Sequence, residues 1–392
     1  MKRVALSSLA IAMLAAASAA HAQSSVTLYG IIDVGIGYTH NDTGVSNFTT
    51  ANHSTQVGFN NGTLSGSRWG LKGTEDLGGG LSTIFQLENG FSPTTGGFSS
   101  AGVEFNRQAY VGLSSTTWGT VTFGRQYDPT VDMVQPLTED NYFGSIFGTP
   151  GDVDNYDNNF RVSNTIKYVS PTFNGLQFEG IYGLGGVAGS VSAGQSYGAG
   201  VSYTNGGLGL AAAYFVAKTS SQTAFTSTTD NDFGSVINGG FANSNSLAIG
   251  RVGGQYAFGP FTAGASYSNT RYKPVSAFVA GNSKTEEFNS GAVFLNYNLT
   301  PAALVGIGYN LTRSSGVSGA TYHEVSLGSD YNLSKRTDVY LVGAWQKANG
   351  QTVASVNGVQ TVVAAPASIG SYGINSGTSS QAIAIIGMRH KF

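Results

Sequence analysis

Apolar residues in this chain alternate with polar or small ones over segments of about ten residues, segment after segment. From Val26 to Tyr38 the even positions hold Val26, Leu28, Gly30, Ile32, Val34, Ile36 and Tyr38, whereas the odd ones include Thr27, Tyr29, Asp33, Gly35 and Gly37. Leu81, Thr83, Phe85 and Leu87 alternate with Ser82, Gln86 and Glu88, and Leu176, Phe178 and Tyr182 with Gln177 and Glu179. The rhythm returns in Val162–Tyr168, in Val293–Leu299, in Val305–Tyr309 and in Val339–Trp345. Side chains of a strand point to opposite faces in turn, so each segment carries one greasy face. No stretch of residues 23–392 approaches the ~20 apolar residues of a membrane helix. Strands can cross lipid only as a closed barrel, which leaves no backbone group unpaired.

The connections take two lengths in turn. Short ones fall at 73–80, 114–119, 170–175, 205–207, 259–260, 300–301 and 332–336. Long polar ones fall at about 40–56, 90–104, 127–160, 185–196, 219–243, 272–286, 314–320 and 348–379. Seven short turns between eight long loops predict sixteen strands, with both chain ends on the short-turn side. The predicted fold is all-β: a transmembrane antiparallel up-and-down barrel with its apolar faces outward. A barrel of this size holds a water-filled lumen, not a packed core.

Composition fits this reading. Charged residues make up 10 %, and the chain carries 56 Gly, 20 Tyr and 22 Phe. Lys2 and Arg3, the apolar run Val4–Ala20 and the small residues of Ala20-His21-Ala22 predict a signal peptide over 1–22, cleaved before Gln23. Its removal takes the formal charge from -2 to -4, which excludes a basic nucleic-acid footprint. With no cysteine and five scattered histidines there is no disulfide framework and no metal-ligand spacing. No phosphate-cradling loop opens a helix and no Ser–His pair is evident, so neither an enzyme nor a cofactor is expected.

Several stretches resemble the Gram-negative general porins, in particular the beta-proteobacterial type. They are Ser25–Gly30, Ser67–Leu81 (SRWGLKGTEDLGGGL), Phe105–Leu113 (FNRQAYVGL), Thr122–Gln126 (TFGRQ), Asn164–Pro171 (NTIKYVSP) and Gly387–Phe392 (GMRHKF). The resemblance implies a porin domain over 23–392, assembled as a homotrimer in the outer membrane among lipid and lipopolysaccharide. It also implies a third loop, 127–160, folded into the pore, and passive diffusion of ions and small polar solutes. A substrate-selective porin and an adhesin-like barrel are the alternatives. Ala384, Ile386, Met388, His390 and Phe392 share one face. A last strand ending in Phe392 looks like the signature read by the outer-membrane insertion machinery.

The third loop holds Asp128, Asp132, Glu139, Asp140, Asp152, Asp154 and Asp157 and no basic residue. By resemblance, Arg68, Arg107 and Arg161 match the arginines of a porin constriction, and Lys72 shares the face of Arg68. Glu139 and Asp140, with Asp152 and Asp154 as alternates, are the expected acids opposite. Strict alternation with Val121 and Phe123 points Arg125 at lipid, which a bulge would correct. Ile31, with Asp33 nearby, stands where the family carries a basic residue, so anion selectivity does not follow from the sequence. Tyr29, Trp69, Trp118, Tyr168, Tyr297 and Trp345 are candidates for interfacial aromatic belts.

Overall fold

The computed structural model describes residues 25–42, 54–100, 102–219, 235–242, 244–275, 277–356, 359–370 and 375–392. The predicted signal peptide, 1–22, lies outside the described residues. The wall is one closed antiparallel sheet. On one side β1 (Ser25–Asp42) pairs with β18 (Ser380–Lys391), and on the other with both β2 (Ser54–Asn61) and β3 (Arg68–Gly78). The wall continues through β4 (Leu81–Gly90), β5 (Gln108–Ser115), β6 (Gly119–Gln126), β7 (Val162–Val169), β8 (Leu176–Gly183), β9 (Ser196–Asn205), β10 (Leu208–Lys218) and β11 (Ser244–Phe258). It is completed by β12 (Phe261–Pro274), β13 (Glu286–Thr300), β14 (Ala303–Ser315), β15 (Gly319–Asn332) and β16 (Thr337–Val356). A further strand, β17 (Val359–Ala364), pairs with the far end of β16 as a hairpin beyond the wall. Because β2 and β3 share one position and β17 lies beyond the wall, the barrel has sixteen strands, as the alternation predicts.

Closure is direct: Gly30 and Phe392 exchange backbone hydrogen bonds of 3.0 Å in each direction. The ends therefore meet on the short-turn side, beside the turn that follows β3. Several predicted boundaries move, and the long loop expected over 348–379 holds the end of β16 and all of β17. The strand expected to end near Gly73 continues to Gly78, and the second long loop extends to the residue before Gln108.

Val26, Leu28, Ile36, Leu295, Ile307, Leu341 and Ile386 are exposed on the outer face, where hydrocarbon would cover them. Among the aromatic-belt candidates Trp118, Tyr168 and Trp345 are exposed, with the Tyr168 hydroxyl donating to the Trp118 carbonyl at 2.8 Å. Trp69 meets Phe105 edge-on, and Tyr297 tilts against Phe261. Tyr29 departs from the belt. It belongs to the inward parity of β1 and donates its hydroxyl hydrogen bond to Glu88 inside the barrel.

Residues between β6 and β7 fold back into the lumen as short helical turns, including Thr130–Val134 and Asp140–Phe143. Apolar side chains of this loop face the wall. Phe143, Ile146 and Phe147 form a buried cluster with Leu64, Tyr340, Val342, Ile383 and Ile385. Met133 and Val134 pack with Ala211 and Ala213. Wall glycines make the room: a Cβ at Gly328 would lie 2.4 Å from the Phe143 ring, and one at Gly306 would lie 2.3 Å from it. The apolar content of the loop thus finds its burial against the far wall, which draws the segment across the pore.

Candidate functional site

The inward face of β3, β4 and their neighbours carries a basic cluster built around one acid. Glu88 sits on β4 at a polar, inward position, opposite Gly70 of β3 and Gln108 of β5. Its Oε1 takes an ion pair of 2.7 Å from Arg107 Nε and a hydrogen bond of 2.8 Å from the Tyr127 hydroxyl. Its Oε2 accepts from the Tyr29 hydroxyl at 2.7 Å and lies 3.9 Å from Arg68 Nε. Gln86 donates to the Tyr29 oxygen at 2.7 Å, and Lys72 Nζ stands 5.3 Å above the Tyr29 ring. The Arg107 guanidinium lies 5.7 Å from the centre of the Tyr127 ring. Aromatic faces and one carboxylate hold the cations in fixed directions, which limits the entropy lost in ordering long side chains.

Arg161, next to the first residue of β7, donates to the Asn159 carbonyl at 3.0 Å and lies within the electrostatic reach of Arg107, Arg125 and Asp157. Arg125 is buried but keeps the outward parity of Ala109, its partner on β5. Gly124 adopts φ 141°, a conformation open to glycine, and the pairing of β6 with β7 slips between Gly124 and Gln126. The extra residue lies on β7, and Gln126 stays on the inward face with Thr122 and Thr165, so the parity of β6 is unbroken. Arg125 Nε donates to the Asn106 carbonyl at 2.8 Å and Nη1 to Ser163 Oγ at 2.7 Å. The structure therefore brings Arg68, Arg107 and Arg161 to one side of the lumen, with Lys72 further toward the short turns and Arg125 held in the wall by Asn106 and Ser163. Glu88 at their centre is absent from the sequence-predicted set, although its parity on β4 was legible.

The four expected acids lie elsewhere on the loop, turned toward the wall and toward the loop's own backbone. Glu139 is buried and accepts from Asn296 Nδ2 of β13 at 3.1 Å. Asp140 accepts from Gln135 Nε2 at 2.5 Å. Asp152 accepts from the Asp157 amide at 2.8 Å and from Asn159 Nδ2 at 2.9 Å. Asp154 accepts from Thr149 Oγ1 at 2.5 Å and from Ser268 of β12. Burial pushes the Glu139 carboxyl up to about 9, so it carries a proton at neutral pH. Burial, and next the charge of Asp157, also raise Asp140 and Asp152 well above the carboxylate range.

The remaining loop acids have wall or loop partners. Asp132 forms an ion pair with Lys167 of β7, which also lies 3.3 Å from Glu179 of β8. Asp128 is buried and accepts from the Thr130 amide at 2.7 Å and from Asn155 Nδ2 at 2.7 Å, which joins the two ends of the loop. Half-buried Asp157 is the loop carboxyl within reach of Arg161. A sequence cannot show this, because the face of a carboxylate in an irregular loop follows no period.

On β1, Ile31 is half-buried and inward, and Asp33 is fully buried. The basic residues on this side of the barrel are Lys391, paired with Ile31, and Arg389, both of β18; Arg389 Nε lies 3.2 and 3.1 Å from the two carboxylate oxygens of Asp338. Phe392 is exposed at the closing seam, with its ring where a Cβ on Gly30 would stand. Among the described residues no group of His, Cys, Asp and Glu is arranged to hold a metal ion.

Comparison with known proteins agrees with this architecture. A family profile described as Gram-negative porin matches residues 6–351. An outer membrane porin protein of Bordetella pertussis is 32 % identical over 385 residues, covering 86 % of this chain and 93 % of that one. Outer membrane porin protein 32 of Delftia acidovorans is 30 % identical over 402 residues, covering 98 % and 99 %. Among solved structures, an anion-selective porin from Comamonas acidovorans superposes with a TM-score of 0.70 at 24 % identity, covering 94 % of this chain and all of that one. Closed sheet, inward loop and family match converge: the chain belongs to the Gram-negative porins, outer-membrane channels for passive diffusion.

Proposed function

We propose that the narrow zone of this channel is the gap between the third loop and the cluster of Arg68, Arg107 and Arg161, and that it favours small hydrophilic anions. The observation that carries this reading is the charge imbalance around Glu88. Glu88 faces the guanidiniums of Arg68 and Arg107, with Arg161 within reach of Arg107, while Glu139 of the loop is neutral at pH 7 and its neighbours are engaged by hydrogen bonds. Low-dielectric walls focus such a field on the water between them. The likeness to an anion-selective porin supports the same sign. Lys72 extends the positive wall toward the short-turn side. Asp157 supplies the nearest opposing charge, with Asp140, Asp152 and Asp154 behind it.

In this reading the chain is exported by its signal peptide. It is inserted through recognition of the strand that ends in Phe392, and it works as a homotrimer among outer-membrane lipid and lipopolysaccharide. It performs no chemistry and needs no cofactor. The support is family membership and the sequence signals at the two ends. The test is the zero-current potential of purified protein in a planar bilayer under a KCl gradient. A potential on the chloride side supports the assignment, and a potassium-side value overturns it. Block by one solute at low concentration would make the channel substrate-selective instead.

A further inference from the structure

We propose that Asp33, through an inward bulge at 62–67, is a positioning residue that fixes the tip of the constriction loop and so sets the size cutoff of the pore. On β1, Ile31 pairs with Arg68 of β3 and Val34 pairs with Asn61 of β2. Two residues of β1 thus face the six residues 62–67, and the surplus chain leaves the wall. It turns into the lumen, where Thr63, Leu64 and Ser67 are buried. A strand broken in mid-wall leaves backbone donors that must be satisfied. Asp33 satisfies them. Its Oδ2 accepts from the amides of Leu64 and Ser65, both at 2.8 Å, and its Oδ1 accepts from the Tyr340 hydroxyl at 2.6 Å. The Asp33 amide donates to Ser67 Oγ at 3.0 Å, and its carbonyl accepts from the Gly62 amide at 2.9 Å.

The far side of the bulge carries the loop. The Ser145 amide donates to the Thr63 carbonyl at 3.2 Å, and Leu64 packs in the cluster with Phe143, Ile146 and Phe147. Gly144 has φ 74°, and a Cβ there would lie 1.9 Å from the Thr63 oxygen. Only glycine allows this approach. The bulge also borders the basic cluster, because a Cβ on Gly66 would lie 3.2 Å from Arg107 Nη1. One carboxylate on the wall thus holds a segment that touches the loop tip on one side and a constriction arginine on the other. Displacing it lets the tip swing and widens the gap.

The inference rests on the loop being the narrow zone. The test uses the full-length protein in liposomes, with swelling rates for a trisaccharide relative to a monosaccharide, and open-channel noise in a bilayer. Asp33→Asn and Asp33→Ala remove the same charge, but Asn still offers an oxygen to the two amides. Asp33→Ala should raise the size ratio about twofold, because selectivity by size follows pore diameter. Asp33→Asn should stay close to wild type, and Gly144→Ala, which alters no charge, should behave like Asp33→Ala. Equal ratios in wild type, Asp33→Ala and Gly144→Ala overturn the proposal, as does an Asn variant that matches Ala. If Asp33→Ala fails to form a heat-modifiable barrel, Gly144→Ala and Leu64→Ala decide. No flux in the wild type would sink the channel reading itself, whereas normal wild-type flux with unaltered variants sinks this proposal alone.

Discussion

Replacing Arg68, Arg107 and Arg161 by Gln should carry the channel from anion preference to near neutrality. Around Glu88 the guanidiniums of Arg68 and Arg107, with Arg161 close to Arg107, leave a local excess of positive charge, and the triple variant removes all three. A unit charge roughly 8 Å from a permeating ion in water contributes about 0.5 kcal/mol, so three contribute about 1.5 kcal/mol before screening. At 0.1 M salt the Debye length is about 10 Å, which reduces the sum to about 0.7 kcal/mol. Anions then lose about threefold in the gap and cations gain about as much, since 1.4 kcal/mol is a factor of ten. The anion-to-cation permeability ratio should fall about tenfold at low salt and hardly change at 1 M, where the screening length is about 3 Å. Zero-current potentials under KCl gradients at both salt levels read this directly. An unchanged potential at low salt refutes the placement of the cluster in the conducting path. A shift of the same size at 1 M refutes the electrostatic argument and points to altered pore shape.

Three further outcomes follow from the same geometry. Glu88→Gln removes the single acid at the centre of the cluster and should move the zero-current potential further to the anion side, opposite in sign to the arginine changes; a move toward cations would contradict the arrangement. Gly328→Val places side-chain atoms where the Phe143 ring lies and should lower stability by about 1–3 kcal/mol, read as an earlier loss of heat-resistant mobility on gels, while the barrel still inserts. The Glu139 carboxyl is raised above its unfolded value to about 9, so the stability tied to its protonated form is complete below about pH 4.5 and lost as pH rises through 9. Glu139→Gln should therefore be more resistant to denaturation than wild type at pH 9–10 and no different at pH 4, as checked by urea titration; parallel pH profiles would refute the burial of that carboxyl.

The barrel was readable because its rule is local. Parity puts Leu28 and Ile36 in lipid and Arg68 and Glu88 in the lumen without knowledge of any distant residue. Turn spacing gave the strand number, and the structure keeps all seven short turns. Reading failed where parity breaks or does not decide exposure. Arg125 keeps its outward parity yet is buried, because the Asn106 carbonyl and Ser163 take its guanidinium. Val162, grouped by alternation with the outward Ile166, is buried, since Asn164 at φ 57° interrupts the strand between them. Tyr29 has belt-like chemistry, and its inward parity decides its place. The loop acids carry no periodicity at all, so their directions come from partners such as Asn296 and Ser268, more than a hundred residues away.

The amino-acid order alone determined that strands would form, how many, and which face of each meets lipid, because backbone pairing in hydrocarbon admits a single closed solution for such a pattern. Only the tertiary structure decided what fills the middle. Glycines on the far wall leave hollows for Phe143, a strand break at 62–67 reaches in to meet the loop, and a carboxylate on β1 ties that break in place. These contacts join residues remote in sequence, and their energies exist only once the wall has closed around them.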